Sequence, residues 1–158
     1  MVLQTGQKGL RTILRKAKVP LDDEIFLDAA YVIALANPAD QHHERAATLA
    51  ASVKTGHVRI VTTRAVLLEV GSSLSRLRFR AAAVRLLNIM EFSSSILVMP
   101  VGEDLARRGL EMFCHRADKE WSWTDCISFL VMQERRLRQA LTTDEHFEQA
   151  GFMALLRN

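Results

Sequence analysis

The chain carries 18 acidic residues, and their neighbours divide them into two kinds. Glu103 has Arg107 four residues on, Asp104 has Arg108 and Glu134 has Arg138. That spacing predicts ion pairs on exposed helix faces. Four other acids lack such a partner. Glu69 is flanked at helical spacing by Ala65, Val66, Ser72 and Ser73, and Asp125 by Trp121, Ser122, Ser128 and Phe129. Asp144 has Phe147 and Glu148 ahead of it, and Asp28 closes the apolar run EIFL. A carboxylate on a semi-apolar face is costly unless something neutralises it. A divalent cation such as Mg²⁺ does so, taking carboxylate oxygens while keeping several waters. Ser122, Thr124 and Ser128 surround Asp125 with hydroxyls suited to hydrogen-bond a ligand carboxylate or a metal-held water.

Each acid also has a purely structural reading. Asp28 could cap the helix that follows it, and Glu69 could be a solvated helix acid. Ser122 and Asp125 stand at capping-box spacing, as do Thr142 and Glu145. Asp144 lies in a first helical turn, where the helix dipole favours an acid. Asp125 poses the sharpest question. Four and seven residues on from it come Phe129 and Met132, so it lies along a line that a helix ordinarily buries.

The elements that must position these acids alternate along the chain. Short apolar strands are predicted at 24–28, 58–62, 95–100 and 140–143, with 152–156 as an edge strand. Helices are predicted over 29–36, over a stretch capped by Asp40 and stopped at Gly56, and over 63–77, 79–92, 102–117, 121–132 and 144–150. Strands alternating with helices predict an α/β chain, a mostly parallel sheet of about five strands with helices on both faces. Sites in such sheets form outside the carboxyl ends of the strands. Asp28, Glu69, Asp125 and Asp144 all map to that end.

Composition is that of a globular protein: 158 residues, 49% apolar and 25% charged. No apolar run is long enough to span a membrane, and the basic N-terminus has no apolar secretory core. Cys114 and Cys126 have no motif spacing and read as reduced thiols, so a cytoplasmic setting is expected. The net charge of +3 is unevenly held. Lys8, Arg11, Arg15, Lys16 and Lys18 give the first twenty residues +5, leaving −2 for the rest. Residues 1–23 are therefore expected to be a basic extension, solvated or attracted to nucleic acid or an acidic surface, and 24–158 the folded domain.

Four segments resemble, in order, the PIN-domain family, and in particular the VapC-type toxins of bacterial toxin–antitoxin pairs. They are FLDAAYVIALANPADQHHERA (26–46), TTRAVLLEVGSSLSR (62–76), WSWTDCISFLVM (121–132) and ALTTDEHFEQAGF (140–152). The resemblance implies a three-layer α/β/α sandwich and a Mg²⁺- or Mn²⁺-dependent endoribonuclease. On this chain its acidic cluster is Asp28, Glu69, Asp125 and Asp144. The first three would be ligands, directly or through water, and Asp144 a weaker fourth ligand or a group that orients water. A divalent ion would offset phosphodiester charge and activate a water for in-line attack, leaving a 5′-phosphate and a 3′-hydroxyl. The partners implied are RNA, a cognate antitoxin seated on the helix-rich segment 29–54, and a second copy in a homodimer. The family commonly has Thr then Ser after the first Asp, whereas this chain has Ala29 and Ala30.

Other residues are weaker candidates. Arg64, Arg76, Arg78 and Arg80 could touch phosphates or form a solvated face. Trp121 and Trp123 could stack on bases or cover the core edge. His42 and His43 beside Asp40 could form a second metal site or touch RNA, but they point about 100° apart on a helix, which disfavours joint ligation and favours a solvated helix start. Two rival functions stand beside the nuclease. One is a non-catalytic RNA- or protein-binding module, favoured by Ala29-Ala30. The other is a metal-dependent phosphatase, which would want an acid where Ala30 stands.

Overall fold

The protein is described here by a computed structural model covering residues 20–157. Residues 1–19, most of the expected basic extension, lie outside the described residues. The last residues before the first strand are joined to the sheet: the Asp22 N–H donates to Gln139 and Gln139 donates to the Pro20 carbonyl, each at 2.9 Å.

Strand β1 is Glu24–Leu27, followed by helices α1 (Ala29–Ala36) and α2 (His43–Thr55). Next come β2 (Arg59–Thr63), α3 (Arg64–Ser73), α4 (Leu77–Phe92) and β3 (Ile96–Met99). The chain continues through α5 (Glu103–His115), α6 (Trp123–Glu134), β4 (Gln139–Leu141), α7 (Glu145–Gln149) and β5 (Met153–Ala154). The five strands run in the order β3-β2-β1-β4-β5, and every neighbouring pair is parallel. Helices α1 to α4 pack among themselves, as do α5 to α7, which makes the three-layer α/β/α sandwich. A sheet covered on both faces needs continuous apolar strands rather than alternating ones. Accordingly Ile25, Phe26, Leu27, Ile60 and Val61 are all buried.

The strand order carries the functional consequence. From β1 the chain moves outward to β2 and β3, then returns to lay β4 on the other side of β1. The connections diverge there, and open sheets form a crevice at such a switch point, outside the carboxyl ends of the strands. Asp28 leaves β1 and Asp144 follows β4 at that crevice.

Local details differ from the sequence expectation where a polar side chain had two options. Asp40 does not cap α2. It accepts from the His42 N–H at 2.8 Å in the turn before the helix. The pairing of Glu134 with Arg138 fails because α6 ends at Glu134, so the spacing is no longer helical. Arg138 pairs with Asp22, and Arg108 bridges Asp104 and Glu134. Arg107 pairs with Asp104 and Glu111.

Candidate active site

Asp28 is the first residue past β1, and its backbone N–H still bonds to the Leu141 carbonyl at 3.2 Å. Its carboxylate is buried, 5% exposed. Oxygen Oδ2 accepts from the Thr142 hydroxyl at 2.6 Å and from the Ala30 N–H at 3.3 Å. The side chain therefore caps α1, as the structural reading had it, and both bonds fall on one oxygen. The other makes no hydrogen bond among the described residues. Ala29 and Ala30 offer no hydroxyl here. Thr142, on the opposite flank, supplies one.

Asp125 stands at the head of α6 in a complete capping box. Its Oδ2 accepts from the Ser122 N–H at 2.7 Å, and its own N–H donates to the Ser122 hydroxyl at 3.0 Å. The line it shares with Phe129 and Met132 is buried, at 1% and 0% exposure. Phe129 stacks edge-on against Trp121 and Phe147, each at 5.0 Å between ring centres. That aromatic cluster seats α6 and α7 together and fixes what their N-terminal ends present. Phe147, wholly buried, anchors the single turn of α7. Asp144 caps this turn, accepting from the His146 N–H at 2.8 Å. The expected Thr142–Glu145 capping box does not form, because the Thr142 hydroxyl is engaged with Asp28 and with the Asp144 N–H.

Charge coupling places Asp28 within reach of Asp125 and Glu69, and Asp144 within reach of Asp125 and Glu69. Burial pushes the Asp28 carboxyl up to about 7, the Thr142 bond opposes this, and the charges of Asp125 and Glu69 push it further. Asp125 is also raised, first by burial and then by Asp144, against the bonds from Ser122. Glu69 lies at the rim on α3, raised by partial burial and then by Asp125 and Asp144. Such like-charge repulsion favours proton or metal binding. The positive ends of α1 and α6 soften it, since Asp28 caps the first and Asp125 lies in the first turn of the second.

One member of the group escaped sequence reasoning. His146 aims Nδ1 at Asp125 Oδ2, 3.5 Å away, and at Asp144 Oδ1, 3.3 Å away. That nitrogen is buried and makes no hydrogen bond. Among the described residues, Asp125, Asp144 and His146 form the one set of three whose ligand atoms lie within 4.8 Å of one another. Three donors so placed, one of them an orphaned nitrogen, suit a divalent cation. The signal was DEH at the start of the short helix after β4. Pairing by helical spacing passes over a residue two positions on.

The remaining candidates separate cleanly. Ser122 touches Asp125. Ser128 is buried and donates to the Thr124 carbonyl at 2.9 Å, and the Thr124 side chain makes no hydrogen bond among the described residues. Arg64 pairs with Glu91, and Arg76 is exposed at the start of α4. Arg78 lies over the Phe79 ring, while Arg80 donates to the Ser75 carbonyl. Trp121 is a core residue, whereas Trp123 is half exposed and donates to the Ala106 carbonyl at 3.0 Å. His43 bonds to the Ala34 carbonyl at 2.9 Å, which ties α2 to α1. Cys126 is buried, its thiol pushed up to about 11 by that burial.

Known proteins share this fold. The family model of the PIN domain matches residues 25–153. A relative from Mycobacterium tuberculosis, the 23S rRNA-specific endonuclease VapC20, is 32% identical over 129 residues, covering 82% of this chain and 95% of its own. The crystal structure of that VapC20, a Sarcin-Ricin loop cleaving toxin, superposes with a TM-score of 0.74 at 30% identity, over 82% of this chain and 96% of the other. The structure of FitAcB from Neisseria gonorrhoeae matches at a TM-score of 0.58 and 17% identity, over 82% and 94%, a likeness of fold alone. The acids that sequence spacing set apart thus stand at the crevice of a fold already known from a nuclease, and this chain belongs to the PIN domain family.

Proposed function

We propose that the protein is a metal-dependent endoribonuclease and the toxin of a toxin–antitoxin pair, working through Asp28, Glu69, Asp125 and Asp144 with Mg²⁺ or Mn²⁺. The observation that carries this reading is the meeting of acids from separate segments at one crevice, where Asp125, Asp144 and His146 bring donor atoms within 4.8 Å and the buried Asp28 and partly buried Glu69 lie within reach of the Asp125 charge. A site so charged repels RNA until a cation neutralises it. When bound, a divalent ion supplies charge neutralisation and an activated water. Asp28, Asp125, Asp144 and the rim acid Glu69 would hold it. Thr142 keeps one Asp28 oxygen engaged and leaves the other without a hydrogen bond for a ligand to use. Ser122 fixes the Asp125 carboxylate through the capping box, and the aromatic cluster behind it excludes water from that side. Arg64 and Arg76 are candidates to steer RNA. Cleavage would leave a 5′-phosphate and a 3′-hydroxyl. Ribosomal RNA is the first substrate to test, because the relatives are named for cutting it.

The partner expected of a toxin is an antitoxin on the helices of segment 29–54. A cavity of about 570 Å³ supports this. It is lined by Tyr31, Val32, Leu35 and Val53 of α1 and α2 and by Ile89 and Met90 of α4. Homodimerisation and a cytoplasmic setting belong to the same reading. Among the described residues no helix is long and apolar enough to cross a membrane. The domain is taken as 24–158 and residues 1–23 as a basic extension.

The test is cleavage of labelled total RNA and of intact ribosomes with Mg²⁺ or Mn²⁺, beside Asp125→Asn. Metal-dependent cutting that the variant loses while staying folded upholds the nuclease. A folded wild type that cuts neither substrate with either ion favours the second reading, a non-catalytic binding module. Ala29-Ala30 is the observation behind that alternative.

A further inference from the structure

We propose that His146 is a nitrogen ligand of the metal site and makes it prefer a transition ion such as Mn²⁺ over Mg²⁺. The inference rests on the nuclease reading and sharpens its cofactor. Its basis is geometric. Nδ1 lies 3.3 Å from Asp144 Oδ1 and 3.5 Å from Asp125 Oδ2, yet bonds to neither. Adjacent donors around an octahedral ion at about 2.1 Å stand about 3 Å apart, so these separations are close to those of a coordination shell. The ring is not free to leave. It sits on the turn of α7 that Phe147 pins into the core, and its side chain is only 19% exposed. The backbone N–H of the same residue holds Asp144, so one residue positions a carboxylate and offers a donor beside it.

The chemistry follows from ligand type. Mg²⁺ prefers an all-oxygen shell and gives up water reluctantly. Imidazole nitrogen suits first-row transition ions better than Mg²⁺; Mn²⁺ is the weakest binder of that series, yet it accepts a nitrogen ligand more readily than Mg²⁺ does. A site of carboxylates alone would hold both ions by charge. An added imidazole favours Mn²⁺.

The experiment loads the full chain with Mn²⁺, without RNA, and records pulsed electron paramagnetic resonance. The reading requires coupling of the Mn²⁺ electron spin to a ¹⁴N nucleus in the wild type and its loss in His146→Ala. Titration calorimetry gives the second readout. In His146→Gln, which keeps a polar side chain of similar reach, Mn²⁺ affinity should fall about tenfold or more, while Mg²⁺ affinity changes far less. Mn²⁺ bound without nitrogen coupling in the wild type overturns the ligand role and leaves the nuclease standing. Equal losses for both ions overturn the preference for Mn²⁺. Failure of the wild type to bind either ion overturns the ligand role and the metal-dependent reading together.

Discussion

Replacing Asp28 by Asn should stabilise the metal-free protein while destroying its activity. Thr142 and Ala30 both donate to the same Asp28 oxygen, so an amide oxygen in that place keeps both bonds and only the charge is lost. Folding raises this carboxyl from 3.8 to about 7. A folded value above the unfolded one means that the folded state holds its proton longer. The stability this lends is fully present below 3.8 and is lost as pH rises through about 7. Three pH units correspond to about 4 kcal/mol, an upper bound because neighbouring acids and entering water relax around the charge. A realised gain of about 1–3 kcal/mol raises the melting temperature by about 3–10 °C. Thermal melts in chelator should therefore show Asp28→Asn above the wild type at pH 8, with the advantage falling below half at pH 5. Saturating Mn²⁺ should reverse the order, because the wild-type carboxylate then meets a cation. A variant that melts below the wild type at pH 8 in chelator would refute the reasoning. So would an advantage equal at both pH values.

Two further substitutions test the supports of the site. At Gly109 on α5, an added Cβ would lie 2.6 Å from Ile127 Cγ1 and 3.2 Å from Trp123 Nε1. Overpacking there costs about 1–3 kcal/mol against about 1 kcal/mol of helix propensity gained, so Gly109→Ala should lower the urea midpoint with an unchanged slope. Thr142→Val strands the Asp144 N–H and removes the donor to Asp28. It should cost about 1–3 kcal/mol in the same assay, and Thr142→Ser should restore most of it.

The acids were legible because they broke a local rule. Asp125 lies among Trp121, Ser122, Ser128 and Phe129 with no cation at helical spacing, and although its capping box with Ser122 is local to the helix, the absence of a charge partner set it apart. The sheet was legible because both its faces are covered, so the strands read as continuous apolar runs. What stayed hidden depends on how elements meet. Spacing along one helix says nothing of His146 reaching Asp125 from α7. Sequence offered the Thr142 hydroxyl a partner at capping spacing, Glu145, whereas the pairing of β1 with β4 brings it to Asp28 instead. Arg138 went to Asp22 because α6 stops four residues earlier, and helix ends are poorly marked when no glycine follows.

The position of β4 also gives the molecule a timetable. It lies between β1 and β5, yet it is made more than a hundred residues after its partner β1. Until it docks, Asp28 stands at an open sheet edge with no Thr142 to hold it, and neither Asp144 nor His146 has reached the crevice. A growing chain on the ribosome thus carries Asp28 and Glu69 well before it carries a complete set of donors. The full set of donors can come together only once β4 and α7 have been made, so a partly synthesised molecule lacks the arrangement that the finished chain presents.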